Sequence, residues 1–139
     1  MKRLIFAFIA GFVAVLVFHQ GMLSILYASG FTPPRAPFPV QSTQPFGIMQ
    51  IWSSAFWGGI WGLVFAAFFR PPAKGWKYWL GAVLFGAIGP TLVFWFLVAP
   101  LKSQALAMGW KLAPMVTGLL VNGAWGLGTA LFLRWFSGK

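Results

Sequence analysis

The chain has 139 residues, of which 60% are hydrophobic and only 7% are charged. A soluble globule of this size cannot bury so large an apolar fraction, because a small domain leaves much of its surface in water. The ten Lys and Arg residues are accompanied by no Asp, no Glu and no Cys. These absences exclude disulfides, thiol chemistry and any mechanism that needs a side-chain carboxylate of this chain.

The net charge of +10 predicts contact with the anionic headgroups of membrane lipids. The basic residues lie near the ends of apolar runs and form no basic stripe or soluble module of the kind that binds nucleic acid. Nucleic acid is therefore not an expected partner.

Four runs approach or exceed the roughly 18 apolar residues that indicate a membrane-spanning helix. They predict an all-α integral membrane protein with four transmembrane helices in a single membrane domain, 1–139. The predicted segments are a helix at 4–27, a proline-rich external loop at 28–48, a helix at 49–69, a cytoplasmic turn at 70–77, a helix at 78–99, an external loop at 100–111 and a helix at 112–133.

The first predicted helix follows Lys2 and Arg3, as the apolar part of a signal peptide would. Its apolar run of about 23 residues exceeds the 7–15 of a signal sequence, so we interpret it as the first membrane helix. It carries His19 and Gln20 in its outer half. The loop after it holds five prolines between Ser29 and Pro45, which excludes a helix or a central strand there.

His19 is the only ionisable side chain that we place well inside a membrane helix. Such a group is a functional candidate as a haem or chlorophyll ligand, a proton acceptor or a quinone partner. The alternative is a neutral imidazole that bonds to another helix or to water at the outer surface. The chain has no second His and no carboxylate, so we favour the alternative and expect no cofactor.

Small residues recur every four positions in the second predicted helix, which places them on one face. A shift of 64 positions superimposes this helix on the fourth, where the same spacing recurs. A stripe of this kind lets another helix backbone approach closely in an apolar setting. The predicted packing positions are Ser54, Gly58, Gly62 and Ala66 in the second helix, and Gly118, Gly126 and Ala130 in the fourth.

Asn122 occupies the remaining position of the second stripe. Its amide could line a path for an ion or a solute. The interpretation that we favour is a hydrogen bond across a helix interface, which contributes about 0.6–2 kcal/mol.

The third predicted helix contains Gly89 and Pro90 near its middle, and proline there predicts a kink. The short turn before it predicts that the second and third helices are antiparallel neighbours. A shift of 75 positions also relates the first helix to the third, which extends the repeat to two antiparallel hairpins. The matching residues are Lys2, Ala7 and Gly11 with Lys77, Ala82 and Gly86.

The basic residues predict the orientation, because they concentrate on the cytoplasmic side of membrane proteins. With a cytoplasmic N-terminus, the inner side receives Lys2, Arg3, Arg70, Lys74, Lys77, Arg134 and Lys139, and the outer side receives Arg35, Lys102 and Lys111. Both termini are therefore predicted in the cytoplasm, and the composition suits a bacterial inner membrane.

No nucleophile, base and orienting group can be assembled, so we expect no enzyme activity. The sequence favours a non-catalytic protein that acts by helix packing, as an accessory or assembly subunit of a larger membrane complex or as a homo-oligomer. The alternative is a passive channel or carrier for an anion or a small neutral solute. A third hypothesis is a haem or pigment protein ligated by His19. Tryptophans within the helices could stack a flat ligand, although such rings more often fill gaps in a bundle.

Overall fold

The structure is a computed structural model that describes residues 1–31, 36–43, 46–69 and 75–138. Several residues on which the predicted loops and orientation depend lie outside these ranges. They are Pro33, Pro34, Arg35, Pro45, the turn residues 70–74 and Lys139.

Four long helices make up most of the described part of the chain. They are α1 (Lys2–Ala28), α2 (Gln50–Phe68), α3 (Trp76–Leu101) and α4 (Leu112–Phe136). Each is long and apolar enough to cross a membrane, since even the 19 residues of α2 extend about 28 Å. The predictions of an all-helical chain and of four such helices are confirmed.

The helices pack as an antiparallel bundle in which α1 lies against α2 and α4, and α3 lies against α4. The contact between α2 and α3 is made mainly by aromatic rings. Phe85 of α3 lies with its ring centroid 5.6 Å from that of Phe65 and 5.8 Å from that of Phe69. The rings of Phe6, near the start of α1, and of Phe136, at the end of α4, are 6.3 Å apart. The first residues of α1 and the last residues of α4 therefore lie at the same end of the bundle. We call this the terminal end of the bundle, and the opposite end the loop end.

The loop end contains two short structured segments. Ser42 forms an isolated antiparallel bridge with Met49, next to the start of α2. Residues Leu106–Trp110 form a helical turn between α3 and α4. Within this turn Ala107 and Met108 have positive φ angles of 47° and 57°, a left-handed conformation that costs about 1–2 kcal/mol for each non-glycine residue.

Two helices contain a π-helical turn, in which the backbone hydrogen bond spans five residues instead of four. In α1 the turn is Val15–His19, and in α3 it is Phe94–Val98. Pro90 lies inside the preceding α-helical part of α3, which continues to Val93. Proline donates no backbone hydrogen bond, and the wider π-helical turn begins at Phe94, about one turn after Pro90.

Candidate functional site

The small residues of α2 lie against the first helix. A Cβ atom built on Gly62 would lie closer than 3.0 Å to the Ala7 carbonyl oxygen, and one built on Gly11 would lie equally close to the Gly58 carbonyl oxygen. Real Cβ atoms do not approach heavy atoms so closely. Only glycine therefore permits this contact between the two backbones.

The contact between α3 and α4 is also a close approach of two backbones at glycine residues. A Cβ atom on Gly126 would lie closer than 3.0 Å to the Ala82 carbonyl oxygen, and one on Gly86 would lie equally close to the Asn122 carbonyl oxygen. Both glycines are buried. The backbones of α3 and α4 can thus approach this closely only because Gly86 and Gly126 have no side chain.

The two ends of each small-residue stripe differ in how deeply they are buried. Ala66 and Ala130, near the terminal end, are fully buried. Ser54 and Gly118, near the loop end, are half-buried. A Cβ atom on Gly118 would lie 3.6 Å from Trp95 Nε1, an ordinary contact distance. The helices therefore approach more closely in the middle of each stripe than at its loop end.

Two side chains of the terminal end bond to backbone carbonyl groups of neighbouring helices. Arg3 Nη2 donates to the Ala66 carbonyl and, over 2.8 Å, to the Phe69 carbonyl. The Tyr78 hydroxyl donates to the Ala130 carbonyl over 2.9 Å. The carbonyls of Ala66 and Phe69 lie at the C-terminus of α2, where carbonyls have no partner within their own helix unless a cap supplies one. The sequence-based reasoning used Arg3 only for orientation, although its position just before the apolar run is a signal for such a cap.

His19 and Gln20 belong to a hydrogen-bonded cluster at the loop end of α1. Gln20 is only 2% exposed, and its Nε2 lies 3.0 Å from His19 Nδ1. Its Oε1 accepts a 2.6 Å hydrogen bond from the backbone N–H of Phe38, and its backbone carbonyl accepts one from Ser24 Oγ. Gln20 therefore ties the loop segment 36–43 to the membrane helix. Sequence reasoning placed Gln20 here but gave no sign of this tie.

Asn122 belongs to a second cluster, between α3 and α4. Its Nδ2 donates to Thr91 Oγ1 over 2.8 Å, and that hydroxyl lies 3.4 Å from the Gly118 carbonyl oxygen that it faces. Thr91 is 1% exposed and follows directly after Gly89 and Pro90. The amide of Asn122 thus joins the two helices by a side-chain hydrogen bond.

Trp125 links α4 to α1. Its indole Nε1–H donates to the Gly11 carbonyl over 3.0 Å, and the ring packs among Ala14, Val15 and Ala55. Sequence reasoning treated this ring as one of several that fill gaps. In the sequence, Gly11 is the signal for this hydrogen bond, because a glycine has no side chain that shields its carbonyl from a donor on another helix.

The outward surfaces of the helices differ in chemistry. Most of the exposed large hydrophobic side chains of α1, α3 and α4 are aliphatic, including Ile5, Ile9 and Val17 of α1, Leu84, Ile88 and Leu92 of α3, and Leu120, Leu127 and Leu131 of α4. Their exposed rings are Tyr27, Trp76, Phe96 and Trp135. By contrast, α2 presents four exposed rings, which we call the α2 aromatic surface: Trp52, Phe56, Trp57 and Phe68.

A scan against protein-family models found no match, and searches of curated proteins and of solved structures also found none. The function is therefore argued from the geometry of the chain. Its polar side chains in the bundle mostly hold helices and loops together, and its most unusual outer surface is that of α2.

Proposed function

We propose that the protein is a small, non-catalytic membrane protein that acts by helix packing. It serves either as an accessory or assembly subunit of a larger membrane complex or as a homo-oligomer. The observation that carries the proposal is the α2 aromatic surface, because aromatic side chains are enriched where proteins meet.

The depth of Trp57 supports a protein partner. Tryptophan is common in membrane proteins at the boundary between lipid and water, where its N–H stays hydrated. Trp57 follows the first residue of α2 by seven positions, which places it about 10 Å along the helix axis. Trp57 is nevertheless 58% exposed on the outside of the bundle. A contact with the helix of another chain would cover this ring and the adjacent ring of Phe56.

The small-residue stripes do not provide this partner surface. Gly58 and Gly62 lie against α1, and Gly126 lies against α3. Because these close contacts are made within the chain, a second chain has to use a different surface. The exposed rings of α2 are the described surface that differs from an ordinary lipid-facing helix.

The test is native mass spectrometry of the protein extracted in mild detergent. We expect the wild type to carry a stoichiometric partner or to form a defined oligomer. Replacing Phe56 and Trp57 by Leu keeps the surface apolar but removes the rings, and should release the partner. Phe96→Leu is the matched control, since Phe96 and Phe56 are both 48% exposed. A wild type that is monomeric and alone, or equal loss in both variants, would refute the proposal.

We also propose that the chain consists of two pseudo-repeated antiparallel hairpins, α1–α2 and α3–α4. Equivalent glycines support the repeat, because Gly62 and Gly126 are related by the shift of 64 positions. The carbonyls that they face, those of Ala7 and Ala82, are related by the shift of 75.

The same two shifts relate a pair of hydrogen bonds. Arg3 and Tyr78 are 75 positions apart, and the carbonyls that accept their hydrogen bonds, those of Ala66 and Ala130, are 64 positions apart. Arg3 and Tyr78 are chemically different donors, but they occupy equivalent positions in the proposed repeat, and so do the two acceptor residues. This agreement supports a repeat of the whole hairpin.

The proposed orientation has both termini in the cytoplasm, in a bacterial inner membrane. It is supported by the number of basic residues on each side and is tested with single cysteines, since the chain has none. In intact cells a membrane-impermeant maleimide should label Ser103→Cys and leave Ser137→Cys unlabelled until the cells are lysed. The reverse pattern would invert the topology.

A passive pathway for an anion or a small neutral solute is the second candidate. The Asn122–Thr91 cluster favours it, because polar groups line solute pathways in membranes. Flux through liposomes tests it, and wild type that conducts no more than empty liposomes removes it. Ligation of a haem or pigment by His19 is the third candidate, and a purified protein without a visible absorbance band removes that one.

A further inference from the structure

We propose that His19 and Gln20 form a pH-sensitive switch that holds the loop segment 36–43 on α1 while the imidazole is neutral and releases it when the imidazole is protonated. The proposal does not depend on the packing role. It rests on the direction of two hydrogen bonds made by the side-chain amide of Gln20. His19 is also the last residue of the π-turn of α1, and such turns are frequent at functional sites.

The amide of Gln20 satisfies its two partners in only one orientation. The backbone N–H of Phe38 donates and never accepts, so the atom 2.6 Å from the Phe38 nitrogen has to be the Gln20 oxygen Oε1. The Gln20 nitrogen Nε2, which only donates, then lies 3.0 Å from His19 Nδ1. Nδ1 is therefore an acceptor, and the ring is the neutral tautomer with its proton on the other nitrogen.

Protonation of His19 turns this acceptor into a donor. An imidazolium carries an N–H at both ring nitrogens, so Nδ1–H would point at the donating Nε2 of Gln20. Rotation of the amide by half a turn would return its oxygen to His19 but place its NH₂ group against the Phe38 N–H. One hydrogen bond is lost in either case. Because Gln20 is only 2% exposed, the group left without a partner is costly to keep.

The loop segment is poised to leave α1. Phe38 has a positive φ of 51°, a left-handed conformation that a non-glycine residue adopts only when its surroundings hold it there. Gln20 holds the segment on one side, and on the other the Pro39 carbonyl accepts from the Ile51 N–H in the first turn of α2. Loss of the Gln20 bond removes the tie to α1 and leaves the bond to α2.

These contacts also place His19 near water. Phe38 bonds to Gln20, and the adjacent Pro39 bonds to Ile51, so His19 lies close to the level at which α2 begins. The 19 residues of α2 are only just enough to cross a bilayer, which puts the first turn of α2 near the boundary with water. The imidazole is half-buried, and a proton from the loop end has a short path to it.

The elements packed against this part of α1 bring no acidic group to the imidazole. The chain has no Asp or Glu, and neither α2 nor the loop segment 36–43 contains a titratable side chain. Arg134, the charged residue of α4, lies beside Trp79 at the terminal end. The titratable side chains at the loop end are Tyr27, Lys102 and Lys111, all exposed, and Arg35, which lies outside the described residues. No side-chain carboxylate is thus available in the chain to pair with the protonated ring.

The experiment measures amide hydrogen exchange by NMR in non-ionic detergent micelles, from about pH 8 to about pH 5, the range in which histidine titrates. The quantity is the protection factor of the Phe38 amide, which corrects for the pH dependence of exchange itself. It should fall about fivefold as His19 is protonated, the effect of losing one hydrogen bond. The chain has a single histidine, so its imidazole nitrogen signals report tautomer and protonation without ambiguity. The two curves should share one midpoint.

His19→Asn is the matched variant, because its amide oxygen takes the place of the Nδ1 acceptor and does not titrate. Its Phe38 protection should stay at the high-pH value throughout. The Gln104 amide, which donates over 2.8 Å to the Ala99 carbonyl in the other loop, should keep its protection in both proteins. The proposal is overturned if wild-type Phe38 protection does not change, if it falls equally in His19→Asn, or if Gln104 loses protection in parallel. A neutral imidazole with its proton on Nδ1 would overturn it as well.

Discussion

Gly126 offers the sharpest test of how the bundle is held together. A methyl group at this position would lie closer than 3.0 Å to the Ala82 carbonyl oxygen, whereas ordinary contact begins at 3.4 Å. The backbones of α3 and α4 would therefore have to separate by more than 0.4 Å, the difference between these two distances. Backbone atoms on both sides of the contact leave no flexible side chain that could move instead.

The expected cost follows from comparison with Gly118 in the same helix. Overpacking of this kind costs about 1–3 kcal/mol. Gly118→Ala shares the gain in helix propensity, about 1 kcal/mol in water, but its Cβ meets no atom closer than 3.6 Å. We therefore expect Gly126→Ala to have a free energy of unfolding about 1–3 kcal/mol below that of Gly118→Ala.

The assay is reversible unfolding in mixed micelles by increasing the fraction of SDS, followed by tryptophan fluorescence. Gly21→Ala adds a second control in α1, because nothing lies within 4 Å of the added Cβ. Equal unfolding free energies for Gly126→Ala and Gly118→Ala would refute the close contact between α3 and α4.

Three further substitutions test individual hydrogen bonds. Trp125→Phe removes the indole donor to the Gly11 carbonyl and should lower the free energy of unfolding by about 0.5–1.5 kcal/mol, the net value of one hydrogen bond, since that carbonyl keeps its bond from the Val15 backbone N–H. Asn122→Ala removes the bond to Thr91 and should lower it by about 0.6–2 kcal/mol without changing solute flux through liposomes. Gln20→Leu removes the acceptor of a loop N–H, and hydrogen exchange of that loop should become about fivefold faster.

Two of these substitutions have a matched control. Trp61→Phe changes a half-buried indole at the position equivalent to Trp125 and should cost less. For Asn122, a loss of liposome flux in the alanine variant would favour the pathway hypothesis instead. Gln50→Leu removes an exposed hydrogen bond to Gln41, and exchange near Phe38 should stay as in the wild type. Equal exchange in the two glutamine variants would contradict the role assigned to Gln20.

The helices of this protein follow directly from its sequence, because a membrane-spanning helix is determined by the length of an apolar run. The four-residue spacing of Gly58 and Gly62 also indicated one face for close contact. The partner of that face could not be read from the spacing. A stripe of small residues fits any apolar helix, and only the fold shows that α1 and α3 occupy the two stripes.

The hydrogen-bonded clusters were predictable only in part. The amide of Asn122 in an apolar helix indicated a bond to another helix, but several hydroxyl groups could have been its partner. The bond from Gln20 to the Phe38 backbone depends on how the loop folds back. The π-turns were not predictable, because one additional residue in a uniformly apolar helix leaves hydropathy almost unchanged.

The π-turns have a consequence for how the two hairpins compare. The contacts that the proposed repeat shares, those of Arg3, Ala7 and Gly11 and of their counterparts in α3, all precede the π-turn of their helix. The turns begin at Val15 and Phe94, 79 positions apart instead of 75, so the two helices are out of register between the start of the first turn and the end of the second. The clusters of Gln20 and Thr91 fall where the registers differ. In the proposed repeat, the part of each hairpin that precedes the π-turn thus keeps matching contacts, whereas the part beside the π-turns holds different polar clusters in the two hairpins.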